Sequence, residues 1–156
     1  MTATLKETFW NKMDKTHVVL LGANGGNPVP MSPLPREDDN AIWFITAADH
    51  DTFDAAKSGA SADIYLSDSS GGIYGTIKGT LSASQDEDKL DELWSPMAAA
   101  WFENGREDDS VRLMKYTPSE AEIWSSDGNA KYLFETIKAN VTDSTPDTGE
   151  YGTIHF

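Results

Sequence analysis

The chain has 156 residues, 38% of them hydrophobic, with no cysteine and a formal net charge of −14 from 26 Asp and Glu against 12 Lys and Arg. That length supports a single domain with its own core, and 5 Trp, 5 Tyr and 6 Phe supply large core pieces. The charge repels phosphate backbones, which argues against nucleic acid as a partner, and the missing cysteine excludes disulfides, thiolate catalysis and thiolate metal sites.

Thr4, Lys6, Glu7 and Thr8 interrupt any apolar run near the N-terminus. No secretory leader is therefore expected, and no apolar run approaches the ~20 residues that span a bilayer. A cytoplasmic protein without membrane contact is the expectation.

The pattern predicts an amphipathic helix over 4–15. Thr4 and Glu7 have capping-box spacing, and Leu5, Phe9 and Met13 repeat at helical spacing beside Trp10. His17 to Gly22 reads as a strand, and 22–27 as a turn. Pro28 to Pro35 is extended, because its alternating prolines forbid helix and suit an edge strand. Asn40-Ala41-Ile42-Trp43-Phe44-Ile45-Thr46 is the densest β-branched and aromatic run. Ala41, Trp43 and Ile45 fall on one face, Ile42 and Phe44 on the other. A strand apolar on both faces must be covered on both.

A short helix over 50–58 ends at Gly59, followed by a strand over 62–67 and a hairpin turn at 68–72. Residues 73–84 form a long strand whose Gly75 and Gly79 predict a bulge or a close backbone approach. A helix from Asp86 to Trp94 restarts at Ser95-Pro96; Met97, Trp101 and Phe102 give the second half an apolar face, and Gly105 ends it. Strands over 111–116 and 120–124 join at Thr117-Pro118-Ser119. A terminal helix carries Ala130, Leu133, Phe134, Ile137 and Val141. The domain thus runs over 1–141, with a polar, flexible tail over 142–156. Short strands without βα alternation imply a mainly β fold, an antiparallel barrel or sandwich with peripheral helices.

Side-chain chemistry is sparse. His17, His50 and His155 lack metal-ligand spacing, so no metal site is predicted. The acidic clusters at 37–39, 86–88 and 107–109 lack calcium-loop spacing and suit turns and helix starts. Gly-x-Ser-x-Gly is absent, and no Ser-His-Asp set stands out. If the protein does chemistry, a bound cofactor carries it.

Leu90-Asp91-Glu92-Leu93-Trp94-Ser95-Pro96-Met97-Ala98-Ala99-Ala100-Trp101-Phe102-Glu103-Asn104-Gly105 resembles a segment of the general stress protein 26-like family, within the pyridoxamine 5′-phosphate oxidase-like, FMN-binding split barrels. Pro30-Met31 resembles the end of that family's Arg-Pro-Met strand. Ile42-Trp43-Phe44-Ile45-Thr46 resembles its "WFlT" strand. Val111 to Pro118 and Ala121 to Trp124 resemble its closing strands. The resemblance spans about residues 5–140. It implies a six-stranded antiparallel split barrel, a homodimer, and FMN at the dimer interface.

Carried over by position, Pro30, Met31, Phe44, Ile45 and Thr46 would line the flavin, with Thr52, Trp101 and Trp124 as further contacts, the tryptophans across the interface. The family's usual cations are replaced by Val29, Ala48 and Thr52. Thr46, Thr52, Lys57 or backbone N–H groups near Asp49 are the candidates to replace them as phosphate donors. The expected function is an FMN-binding, general stress protein-like domain, extending to an oxidoreductase of unassigned substrate. The alternative is a non-catalytic split-barrel dimer that has lost FMN binding or takes another ligand. A pyridoxamine phosphate oxidase is disfavoured, since it needs two phosphate sites.

Overall fold

The structure is a computed structural model that describes residues 4–126 and 150–156. Helix α1 (Leu5–Met13) starts on the expected capping box. Thr4 Oγ1 accepts from the Glu7 N–H at 3.1 Å, and the Glu7 carboxylate accepts from the Thr4 N–H at 3.1 Å. The helix buries Phe9, Trp10 and Met13.

Among the described residues eight strands follow: β1 (Val19–Ala23), β2 (Val29–Met31), β3 (Leu34–Arg36), β4 (Ala41–Ala47), β5 (Ser61–Asp68), β6 (Ile73–Ser84), β7 (Val111–Ser125) and β8 (Glu150–His155). Between them stand α2 (Asp51–Lys57), α3 (Glu87–Leu93) and α4 (Pro96–Ala99). The sheet order is β2-β1-β5-β6-β7-β4-β3, with β8 on β7. Every pairing is antiparallel.

The two ends of that order, β2 and β3, are neighbours in the chain, separated only by Ser32-Pro33. One kinked segment therefore closes the curled sheet, pairing with β1 through its first part and with β4 through its second. This is the mainly β split barrel the sequence predicts, with a corrected strand count. The expected six strands become eight because Ser32-Pro33 divides one strand into β2 and β3, and because β8 is added.

Strand β7 is also longer than expected. Residues 111–116 and 120–124, predicted as two strands, belong to one. Its first half pairs with β4 and its second with β8 on the same edge, while β6 runs along the other edge. Pro118, which has no N–H to donate, lies where the edge partner changes. Opposite it the register shifts between Lys78 and Gly79. Lys78 pairs with Glu120 and Gly79 with Pro118, leaving Ser119 as the extra residue, its hydroxyl donating to the Lys78 carbonyl at 3.0 Å.

Both glycines of β6 sit where a side chain cannot. A Cβ on Gly75 would lie 2.0 Å from the Glu122 carbonyl oxygen, and φ there is +147°. On Gly79 a Cβ would lie 2.4 Å from the Thr117 carbonyl oxygen and 2.8 Å from the Tyr116 ring.

The main core fills the barrel under α1 and α2, joining Phe9, Trp10, Met13, Ile42, Phe44, Ile64, Ile77 and Met114. The other face of β4, with Ala41 and Trp43, packs with Leu90, Leu93, Phe102 and Leu113 in a second cluster. Strand β4 is thus covered on both faces, as its sequence requires. Tyr116 is fully buried. Its single hydroxyl proton serves two acceptors, the carbonyls of Ala62 (2.9 Å) and Ile77 (3.0 Å), and burial pushes its phenol well above the ordinary value.

Two further expectations change. The second half of the helix pair is one turn long: Trp94 takes an extended conformation, Ser95 caps α4, and α4 ends at Ala99. Met97 and Trp101 consequently face solvent, and Phe102 alone of the three is buried. The tail, expected to be flexible throughout, forms β8 over 150–155. Ile154 is buried, and Phe156 meets Phe9 and Trp10 edge-on at 5.2 and 5.8 Å. The predicted helix over 130–141 lies outside the described residues.

Candidate ligand site

The break at Ser32-Pro33 interrupts the pairing along one edge of β4. The β3–β4 ladder pairs Leu34 with Trp43, Pro35 with Ile42 and Arg36 with Ala41. Each step back along β3 is a step forward along β4, so a continued ladder would set Ser32 opposite Ile45 and Met31 opposite Thr46. It does not continue, for Met31 pairs with Val19 of β1 instead. A seam therefore opens in the barrel wall. Pro30 and Met31 flank one side, and Ile45 and Thr46 the other. Beyond Trp43, β4 has no strand on that edge among the described residues.

Four of the residues predicted to contact a ligand thus border the break in the sheet. Met31 is half-buried against the main core, and Pro30 is exposed. Ile45 belongs to the second core cluster, and Thr46 is nearly buried. Phe44 is fully buried in the barrel core, so its side chain packs the wall and only its backbone borders the seam. Thr52 is buried in α2, beyond the strand. Its N–H donates to His50 Nδ1 at 3.2 Å, which makes His50 the helix cap.

The two tryptophans stand apart. Trp101 is 82% exposed after α4. Trp124 lies on β7, twelve residues from Arg112, the partner of Thr46. At ~3.3 Å per residue that is on the order of 40 Å along the strand. Trp124 cannot share a site with Thr46 within one chain. It stacks instead on Tyr151, with ring centroids 4.5 Å apart.

Next to the seam lies a cleft of about 660 Å³ lined by Ala48, Phe53, Lys57, Ser84, Arg112 and neighbours. Arg112 went unnoticed in the sequence. Nothing there reveals that it pairs with Thr46, because a strand's partner is fixed by register and not by spacing. Lys57 Nζ and Arg112 Cζ stand 5.6 and 5.9 Å from the centre of the Phe53 ring, one cation pair over one aromatic ring.

Three other cations nearby are held by carboxylates. Lys89 bonds Asp39 at 2.8 Å, and Arg36 bonds Glu92 at 2.9 Å. Arg106 pairs with Glu87 and, at 2.7 Å, with Asp91. The Lys89 ammonium, helped by the Trp43 Nε1–H at 3.0 Å, holds Asp39 below the usual carboxylate range, and Asp39 in turn raises Lys89. The acidic clusters serve as expected. Residues 37–39 form a turn before β4, Asp86 caps α3, and Asp108 accepts from the Ser110 N–H. Among the described residues no group of His, Asp and Glu is arranged to hold a metal ion, and no helix is long and apolar enough to cross a membrane.

A split barrel opened by a break between β2 and β3 defines the class of protein. The family model described as pyridoxamine 5′-phosphate oxidase like matches residues 5–147, and the chain belongs to that family. It is similar to a solved structure described as a general stress protein 26 from Jannaschia sp. CCS1, at 41% identity and TM-score 0.89 over 97% of this chain and 98% of that one. It is also similar to the general stress FMN/FAD binding protein from Xanthomonas citri, at 29% identity and TM-score 0.70 over 78% and 88% of the two chains. A general stress family protein from Xanthomonas campestris pv. campestris matches at 28% identity and TM-score 0.70 over 82% and 93%. No curated protein matches.

Proposed function

We propose that the chain is a flavin-binding domain that works as a homodimer, with FMN as its cofactor and the isoalloxazine ring in the seam. The observation that carries this is the parting of β2 from β4 between Met31 and Thr46. A flat ring needs a slot with apolar walls and free backbone donors and acceptors at its edge. Pro30, Met31 and Ile45 supply apolar walls, and the unpaired edge of β4 supplies N–H and C=O groups. The FMN/FAD-binding relative from Xanthomonas citri supports the choice of cofactor.

FMN, when bound, supplies hydride or single-electron transfer. The chain's own residues do the rest. Met31 on the barrel side and Ile45 on the outer side of the sheet would flank the ring and exclude water, and Thr46, on the strand edge, would orient the ring. Among the described side chains no nucleophile–base pair competes as the source of chemistry. The proposed activity is therefore a flavin-dependent oxidoreduction in the cytoplasm, on a substrate that the seam admits beside the ring.

The homodimer is supported by the outer face of the sheet. Leu20 pairs with Tyr65, Tyr74 with Trp124, and Trp124 with Tyr151, so these side chains share the convex side. Leu20, Tyr65, Trp124 and Tyr151 are all exposed in the single chain. Exposed apolar and aromatic rows of this kind mark association surfaces. Across such an interface Trp124 of a second copy could reach a ligand that Trp124 of the same chain cannot.

A second reading has its own observation. Val29, Ala48 and Thr52 stand at positions where the resemblance implies cations, and all three are uncharged. On that reading the dimer has lost FMN and is non-catalytic, or takes another flat ligand. Titrating the purified protein with FMN while following flavin fluorescence separates the two. Saturable quenching is the expected result, and undiminished fluorescence would favour the second reading.

A further inference from the structure

We propose that the cleft bounded by Ala48, Phe53, Lys57 and Arg112 is an anion subsite that takes a phosphomonoester, with Arg112 as its principal donor. As the place of the ligand's phosphate arm, it rests on the flavin reading of the seam. Four observations carry it. Thr46, at the seam, pairs directly with Arg112, and Ala48, two residues on, lines the cleft. The seam and the cleft are therefore joined by one short stretch of β4. Arg112 is half-buried yet has no carboxylate within ion-pair range among the described residues.

Its Nη1 donates to the carbonyls of Asp109 (2.7 Å) and Val111 (2.8 Å), which fixes the guanidinium plane. Its Nε and Nη2 have no partner among the described residues. Those two N–H groups form the side-on edge that grips two oxygens of a phosphate at once. Finally, Lys57 converges on the same Phe53 ring. Two like charges sharing one ring repel each other, and an anion between them relieves that repulsion.

The acids on the rim are engaged elsewhere. Asp86 accepts the Lys89 N–H at 3.0 Å, and Glu87 pairs with Arg106. Lys57 also meets Asp54 at 3.1 Å, but that pair is exposed and yields readily to a dianion. The chain has thus moved its phosphate-binding charge from positions 29, 48 and 52 to Lys57 on α2 and Arg112 on β7.

The experiment compares FMN with riboflavin, which lacks the phosphate, and adds inorganic phosphate alone. Binding is read by fluorescence quenching and by the thermal midpoint, on the wild type and on Arg112→Ala, Arg112→Lys and Lys57→Ala. Wild type should bind FMN roughly 10- to 100-fold tighter than riboflavin, the yield of one or two charge-assisted bonds. Arg112→Ala should lose most of that preference while keeping its riboflavin affinity, and Arg112→Lys should restore part of it. Inorganic phosphate should raise the midpoint of wild type and not of Arg112→Ala.

Equal binding of FMN and riboflavin by wild type would overturn the subsite and leave the seam intact. Phosphate stabilisation that depends on Arg112, with no binding of either flavin, would support the subsite and refute the seam. Loss of riboflavin binding in Arg112→Ala, with no midpoint response to phosphate in wild type, would reduce Arg112 to a structural residue.

Discussion

Gly75→Ala tests the closest backbone approach in the barrel. The new Cβ would lie 2.0 Å from the Glu122 carbonyl oxygen, and 3.1 Å from both the Glu122 carbonyl carbon and the Ile123 Cα. All three are backbone atoms of the paired strand, so no side chain can swing aside. The residue would also have to hold φ at +147°, a region that L-residues avoid at a cost of ~1–2 kcal/mol. Overpacking adds roughly 1–3 kcal/mol, for a total of about 2–5 kcal/mol. Gly79→Ala meets the Thr117 carbonyl at 2.4 Å but carries no positive φ, so about 1–3 kcal/mol is expected. Gly25→Ala is the control. Its φ is +74°, but nothing lies within 4 Å of the added Cβ, so only the conformational cost of about 1 kcal/mol applies. Urea unfolding followed by tryptophan fluorescence should rank the midpoints Gly25→Ala, then Gly79→Ala, then Gly75→Ala, from least to most destabilised. If Gly75→Ala is no less stable than Gly25→Ala, β6 and β7 do not approach as described, and the bulge beside them is misplaced.

Tyr116→Phe leaves the Ala62 and Ile77 carbonyls without their shared donor. A loss of ~1–3 kcal/mol is expected, seen as a fall in thermal midpoint of roughly 2–4 °C per kcal/mol. The Asp39–Lys89 pair gives a pH signature. Asp39 is depressed in the folded state, so its contribution is present above its unfolded pKa and is lost as pH falls through the folded one. Lys89 is raised, so its contribution is present below its unfolded pKa and is lost only as pH rises through the folded one. Lys89→Met should therefore cost ~0.5–1 kcal/mol at neutral pH and flatten the decline of stability below about pH 4. Trp124→Glu should turn a dimer into a monomer in sedimentation velocity without unfolding it; an unchanged dimer would move the interface off the aromatic rows.

Much of the barrel was legible because its signals are local. The Thr4–Glu7 capping box, the two-faced run from Ala41 to Thr46 and the glycines of β6 each declare their role within a few residues. What failed was contextual. Thr117-Pro118-Ser119 carries every mark of a turn, yet it continues a strand, because Pro118 sits where no donor is needed and Ser119 is absorbed as a bulge. Tyr151, Ile154 and Phe156 are too few apolar residues to announce a strand alone; β8 forms because the second half of β7 offers a free edge and α1 offers Phe9 and Trp10. Trp101 looks like a core residue from its spacing, but Trp94 and Ser95 stop the preceding helix and leave α4 one turn long.

The site divides the same way. Pro30, Met31, Ile45 and Thr46 were candidates from the order of the strands alone, and the structure places them at the break between β2 and β4. Arg112 was not, because only the register between β4 and β7 sets it opposite Thr46.

The most direct test of the flavin assignment is the visible absorption and fluorescence of FMN with and without the purified protein. A saturable quench at one flavin per chain is predicted, with a red-shifted or better-resolved flavin band and tighter binding than riboflavin. Undisturbed FMN fluorescence at ~100 μM protein, a concentration at which a micromolar cofactor site would be nearly filled, would contradict it.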